Sequence, residues 1–215
     1  MTERERKVVV LGKGSLAIRI CEWFRRAHGY RIAAIVPVVP EPAWTDSLSG
    51  WAERHGVEVV ASGHYRDLGD MRVDLAFSVF YDRIISADFI ARCDRILNLH
   101  NGPLPRYRGV SPINWALKNG ERSHGVTIHE ITPGIDDGPI VAQVTYSIYP
   151  ERDEVRDIYA RALEYGFTLF DVTMPLLDSI APRPQDEAAA TYYSSADNAR
   201  LGNRRGFTRA ESVTS

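Results

Sequence analysis

Only two cysteines, Cys21 and Cys93, occur in 215 residues. They fall in separate helix-like segments, which is too little for a disulfide framework, so both are expected as buried thiols. Charge of one sign is also scarce: 26 basic against 28 acidic residues leave a formal net charge of -2. A chain without a basic excess has no bulk electrostatic means of gripping phosphate backbones, and no nucleic-acid partner is expected. No apolar run approaches the length of a bilayer span. The opening MTERERK is charged and lacks the apolar centre of a signal peptide. A cytoplasmic protein with no membrane partner is the expectation. Metal ligands are thin as well. His124 and His129 sit an odd number of residues apart on a strand-like run, facing opposite sides without a third ligand, so no metal is expected.

What is present is an ordinary globular balance, 44% hydrophobic and 25% charged, enough for one α/β domain with a sizeable core. KVVVL (7–11) reads as a strand buried on both faces, as in a parallel sheet. Gly12-Lys13-Gly14-Ser15 follows as a tight turn, with Ser15 placed to cap a helix carrying Leu16, Ile20, Cys21 and Phe24. RIAAIV (31–36), Val57–Val60 and LAFSVF (75–80) supply further strands. The pattern predicts a Rossmann-like, mostly parallel sheet with helices on both faces. The glycines imitate half of a dinucleotide fingerprint. However, strand two ends in Val36-Pro37-Val38-Val39-Pro40, where the ribose-binding acid would stand, which argues against a nicotinamide cofactor. The turn then either packs helix on strand or cradles a substrate phosphate at a helix N-terminus, through Gly12, Lys13, Gly14 and Ser15. Trp44 and Trp51 flank a short helix and read first as core packing, second as a platform for a substrate ring.

The richest stretch is 98–138, NLHNGPLPRYRGVSPINWALKNGERSHGVTIHEITPGIDDG. Asn98 and His100 leave a strand end on one side of the sheet. The prolines then force a shaped loop, INWALK (113–118) makes a short helix, and two strands, 125–131 and 140–148, form an antiparallel hairpin around an acidic turn. An amide, an imidazole and a carboxylate at sheet edges are suited to holding an oxyanion and moving protons. Glu151 to about Ile180 carries helical periodicity interrupted at Gly166, as one kinked helix or two. Residues 1–180 form the expected catalytic domain. Residues 181–215 are expected as an extended tail, either a partly ordered terminus or a flap reaching an acceptor phosphate through Arg200, Arg204 or Arg205.

Asn98-x-His100, Leu104-Pro105-x-Tyr107-Arg108-Gly109 and Gly134-x-Asp136-x-Gly138, in this order and spacing, resemble the signature of the 10-formyltetrahydrofolate-dependent formyltransferases, over residues 7 to 150. The resemblance implies N-formyl transfer from 10-formyltetrahydrofolate to a primary amine, by direct attack through a tetrahedral intermediate. It implies catalytic roles for Asn98 as amide donor, His100 as imidazolium and Asp136 as base. It also implies a folate pocket from Arg83, Ile84, Ile85, Val110, Thr132, Pro133, Gly134, Ile135 and Asp136, the first three through backbone groups. Asn101, Gly102, Pro103 and Tyr107, with the turn at Gly12, would meet the acceptor. Asp137 replaces the usual small residue of the family turn, but the spacing selects Asp136. The 107–115 segment looks more like the amino-sugar and tRNA enzymes than the purine enzyme, and a nucleotide-linked amino sugar is the first expectation. Glycinamide ribonucleotide, an amino-acid-like or hydroxylamine amine, and formyltetrahydrofolate hydrolysis are the alternatives. Methionyl-tRNA is disfavoured because little chain follows residue 180. A homodimer is compatible with this reading.

Overall fold

The computed structural model describes residues 4–201, in two compact units. One comprises the residues up to Leu99 together with Glu130–Pro133; the other comprises His100–His129 and the chain from Gly134 onward.

In the first unit, β1 (Arg6–Gly12) pairs in parallel with β2 (Tyr30–Pro37) and with β3 (Val73–Val79), and β3 pairs in parallel with β4 (Cys93–His100), giving the order β2-β1-β3-β4. Val8, Val9, Val10 and Leu11 are fully buried, which is why β1 needs no polar alternation: both of its faces are covered. The crossovers carry α1 (Gly14–Arg26), α2 (Leu48–Arg54) and α3 (Ala87–Ile90). One cluster of this unit's core joins Val9, Leu11, Val36, Tyr65, Ala76, Ile85 and Phe89.

Several expectations change here. Val57–Val60 is not a strand. Its only ladder contact is a parallel bridge from Val59 to Ile35, because the segment is too short to extend the sheet after the α2 turn. Ser15 lies inside α1, not at its cap; Lys13 is the N-cap, without a side-chain cap bond. Trp51 is buried and donates its indole N–H to Glu22 at 2.8 Å, whereas Trp44 stays 39% exposed. Cys21 is buried and Cys93 half-buried, both free.

The second unit is built on β6 (Ser123–Glu130) and β7 (Ile140–Ser147), the expected antiparallel hairpin. α4 (Pro112–Lys118) and α5 (Val155–Thr173) supply its helical part. Gly166 does not interrupt α5; it is buried within a continuous helix. The regular helix instead gives way at Met174 to a 3-10 turn carrying Pro175, whose ring and missing N–H do not suit an α-helix interior. Of the residues expected as a tail, 183–193 are hydrogen-bonded into this unit. Arg183 and Ile140 bridge antiparallel, and β8 (Tyr192–Tyr193) pairs in parallel with β5 (Arg108–Gly109). Arg200 is exposed; Arg204 and Arg205 lie outside the described residues. Among the described residues, no helix is long and apolar enough to cross a membrane, and no group of three His, Cys, Asp or Glu could hold a metal ion.

Candidate active site

The second unit brings two imidazoles and a backbone amide to one half-buried acid. Asp136 lies on the turn after β6, at φ 52°, a left-handed conformation rare for residues with a Cβ. Its Oδ2 accepts the Gly109 N–H at 2.8 Å and lies 3.4 Å from His100 Nδ1, while Oδ1 lies 3.4 Å from His129 Nε2. Burial alone would raise the Asp136 carboxyl. The neighbouring His100 charge, the His129 contact and the Gly109 amide outweigh it and hold the group well below the usual carboxylate range. Asp137 is exposed, and its carboxylate folds over Gly134. Of the two acids in the turn, Asp136 is the one the fold brings to His100 and His129.

His100 closes β4 and is itself buried. Its Nε2 sits 2.8 Å from the Tyr107 carbonyl, which can only accept, so Nε2 carries the hydrogen. Nδ1 then faces Asp136, and a second proton there decides between imidazole and imidazolium. Burial pulls the His100 pKa down, and the Asp136 carboxylate opposes it. The two influences oppose each other on one ring, and Asp136 stands beside the nitrogen that would carry the second proton.

His129, read from the sequence only as a metal candidate, is a member of this cluster, its ring edge-on to His100 at 6.3 Å. The signal was its place at the end of the strand that feeds the Asp136 turn. The segment at 101–107 surrounds His100. A Cβ on Gly102 would come 2.7 Å from His100 Nε2, so only glycine leaves the imidazole its place. Asn101 is buried with its side-chain oxygen lacking a protein partner. Tyr107 is less available than expected: its hydroxyl is spent on Glu121 and Asn119 and its ring stacks on Tyr193. Pro103 packs towards Gly125. Val110 and Ile135 each expose 39% of their surface.

The remaining candidates, Gly134 excepted, belong to the first unit. Asn98 lies two residues before His100 on β4, on the same face of that strand. At the same edge of the sheet, Gly12 has φ 144°, and a Cβ there would lie 1.9 Å from the Val79 carbonyl, so the turn demands glycine. Lys13 follows with 8% exposure, its pKa lowered by burial and partly restored by Asp82. A Cβ on Gly14 would meet the Thr45 hydroxyl at 2.9 Å, and Ser15 is half-buried. Arg83 and Ile84 are exposed, whereas Ile85 turns into the core, leaving only its backbone for a ligand. Thr132 is half-buried and Pro133 and Gly134 are exposed.

Residues 6–171 match the family model described as formyl transferase. The chain is 38% identical over 127 residues, 58% of its length, to the methionyl-tRNA formyltransferase of Deinococcus radiodurans, of which it spans 39%. It is 37% identical over 112 residues, 51% of its length, to the bifunctional polymyxin resistance protein ArnA of Wigglesworthia glossinidia brevipalpis, of which it spans 17%. Among solved structures it superposes on WlaRD, a sugar 3N-formyl transferase crystallised with dTDP and 5-N-formyl-THF. The TM-score is 0.80 and the identity 25%, covering 90% of this chain and 71% of that one.

Proposed function

The chain belongs to the formyl transferase family, and from that premise we propose that it is a 10-formyltetrahydrofolate-dependent N-formyltransferase acting on a primary amine of a nucleotide-linked sugar. The observation that carries this reading is the half-buried Asp136, held by His100, His129 and the Gly109 amide. Formyl transfer between nitrogens needs a proton taken from the attacking amine and a stabilised carbonyl oxygen. His100 Nδ1 takes the proton, and the ionised Asp136 stabilises the imidazolium so formed, much as a carboxylate supports a histidine in other acyl-transfer sites. Asn98 donates its amide N–H to the oxygen. His129, against the other carboxylate oxygen, keeps Asp136 ionised and fixed.

The residues present fit a reduced folate. In the second unit, the exposed apolar side chains of Val110 and Ile135 offer surface for a flat ring beside the acid. The folate supplies the formyl carbon. For the acceptor, the 107–115 segment disfavours the purine substrate and the likeness to WlaRD favours a nucleotide-linked amino sugar. In the first unit, a helix N-terminus topped by the buried Lys13 suits a phosphate of that substrate.

Purified protein given 10-formyltetrahydrofolate with a panel of amines tests the reading. The panel contains dTDP- and UDP-linked amino sugars, glycinamide ribonucleotide and methionyl-tRNA. Tetrahydrofolate release that depends on an amino sugar is the expected result. Release without any amine would make the protein a hydrolase, release with another amine would replace the acceptor, and no release at all would reduce it to a binding module.

A further inference from the structure

The family match ends at residue 171, yet the chain beyond it returns to the acid. Gln185 Nε2 donates to the Asp136 carbonyl at 2.8 Å and to the Gly138 carbonyl at 2.7 Å. Its Oε1 accepts from Arg108 Nε at 3.0 Å and Nη2 at 2.9 Å. A primary amide has two N–H bonds and two lone pairs to offer; Gln185 uses all four, two on the Asp136 turn and two on β5.

Further along, the same segment takes the other side of β5. Arg108 N–H donates to the Thr191 carbonyl and Val110 N–H to the Tyr193 carbonyl, both at 2.9 Å. The Thr191 hydroxyl accepts the Tyr107 N–H at 2.7 Å. Successive amides of an extended strand point to opposite sides. With those of Arg108 and Val110 taken by the returning chain, the Gly109 amide faces away from it and meets Asp136 Oδ2. Residues 185–193 therefore grip both partners of the Gly109–Asp136 bond, one by its backbone carbonyl and one through the flanking amides. A left-handed aspartate persists only where its surroundings hold it.

We propose that Gln185 is a positioning residue for Asp136, holding the acidic turn so that its carboxylate stays on the Gly109 amide and beside His100. The catalytic consequence rests on the function proposed above; the geometric one does not. Gln185→Met keeps the length and removes all four bonds. Gln185→Glu keeps the acceptor for Arg108 but loses both donors to the turn. Glu187→Ala is the control, since exposed Glu187 holds Arg108 without touching the turn.

The readouts are hydrogen exchange of the Gly109 amide by NMR and steady-state kinetics. Both Gln185 variants are expected to exchange the Gly109 amide at least about tenfold faster, one hydrogen bond's worth of protection. They are also expected to lose about tenfold to hundredfold in kcat, with little change in KM for the amine, as displacement of a catalytic group does. Glu187→Ala should match the parent in both. Unchanged Gly109 exchange in Gln185→Met overturns the proposal. So does an equal loss in Glu187→Ala, which would make the segment a general brace. If the parent turns over no amine, the function fails, and the exchange result alone decides the positioning.

Discussion

Substituting Gly109 tests the joint between β5 and β8 directly. The residue has φ 89°, and a Cβ built on it would lie 2.1 Å from the Tyr193 carbonyl oxygen and 2.9 Å from Tyr192 Cε2. Alanine at such a φ costs about 1–2 kcal/mol. The carbonyl cannot step aside without releasing Val110 N–H, and opening the pair also threatens the Arg108–Thr191 bond. Each bond is worth about 0.5–1.5 kcal/mol net. Together these predict about 3 kcal/mol of destabilisation for Gly109→Ala, a fall in Tm of roughly 6–12 °C for a chain of this size. Gly120 provides the comparison. It too is left-handed, at φ 71°, but nothing lies within 4 Å of its missing Cβ, so Gly120→Ala should show only the backbone cost of about 1 kcal/mol. Thermal unfolding followed by circular dichroism, with turnover measured well below both transitions, separates the two. If Gly109→Ala melts with Gly120→Ala and keeps its kcat, the chain after residue 180 does not lie against β5 as described.

His100→Ala is expected to lower kcat at least about a hundredfold, the usual worth of a positioned acid–base group; a variant keeping most of its turnover would remove His100 from the chemistry. Asp136→Asn should displace the pH–rate profile while leaving folate binding mostly intact, since the imidazolium loses its counter-charge; a profile identical to the parent's would sink the assignment. Acid should also destabilise the fold through His124. This residue is fully buried with Nε2 on the Asn101 carbonyl, and burial pulls its pKa down to about 4. The unfolded chain therefore binds the proton more readily, so the contribution is present above the unfolded value and lost as pH falls. Between pH 7 and pH 5 this one group removes about 2 kcal/mol. Urea titrations at the two pH values should show it, and His124→Gln should flatten the dependence; an unchanged slope would mean that His124 does not set it.

Much of the fold was legible because burial on both faces leaves a plain mark. KVVVL and LAFSVF have no polar alternation, and both became central parallel strands. Val57–Val60, three valines around Glu58, forms only a bridge, because so short a run does not say whether a neighbouring edge is in reach. Gly166 misled for a similar reason. Glycine lowers helix propensity by about 1 kcal/mol, yet here it is buried in α5 and the helix runs through it. The break falls at Pro175, where the cost is steric and not a matter of preference.

The site divides along the same line. His100 and Asp136 were readable because their spacing around a proline loop and a glycine turn leaves few other uses for them, and the fold brings them to 3.4 Å. The surroundings of the His100 ring were not readable: its burial and which nitrogen faces the Tyr107 carbonyl have no local signature. Gln185 lay further out of reach. It sits 49 residues from Asp136 in a polar, proline-flanked segment whose composition suggests a loose terminus. Nothing in that composition distinguishes a glutamine facing water from one whose four hydrogen-bonding positions are filled. The difference is made by the Arg183–Ile140 bridge, which turns the chain back along β7 just before Gln185. Long-range bonds of this kind are specified by the partner's backbone, the Asp136 and Gly138 carbonyls, and a backbone carbonyl looks alike in every residue.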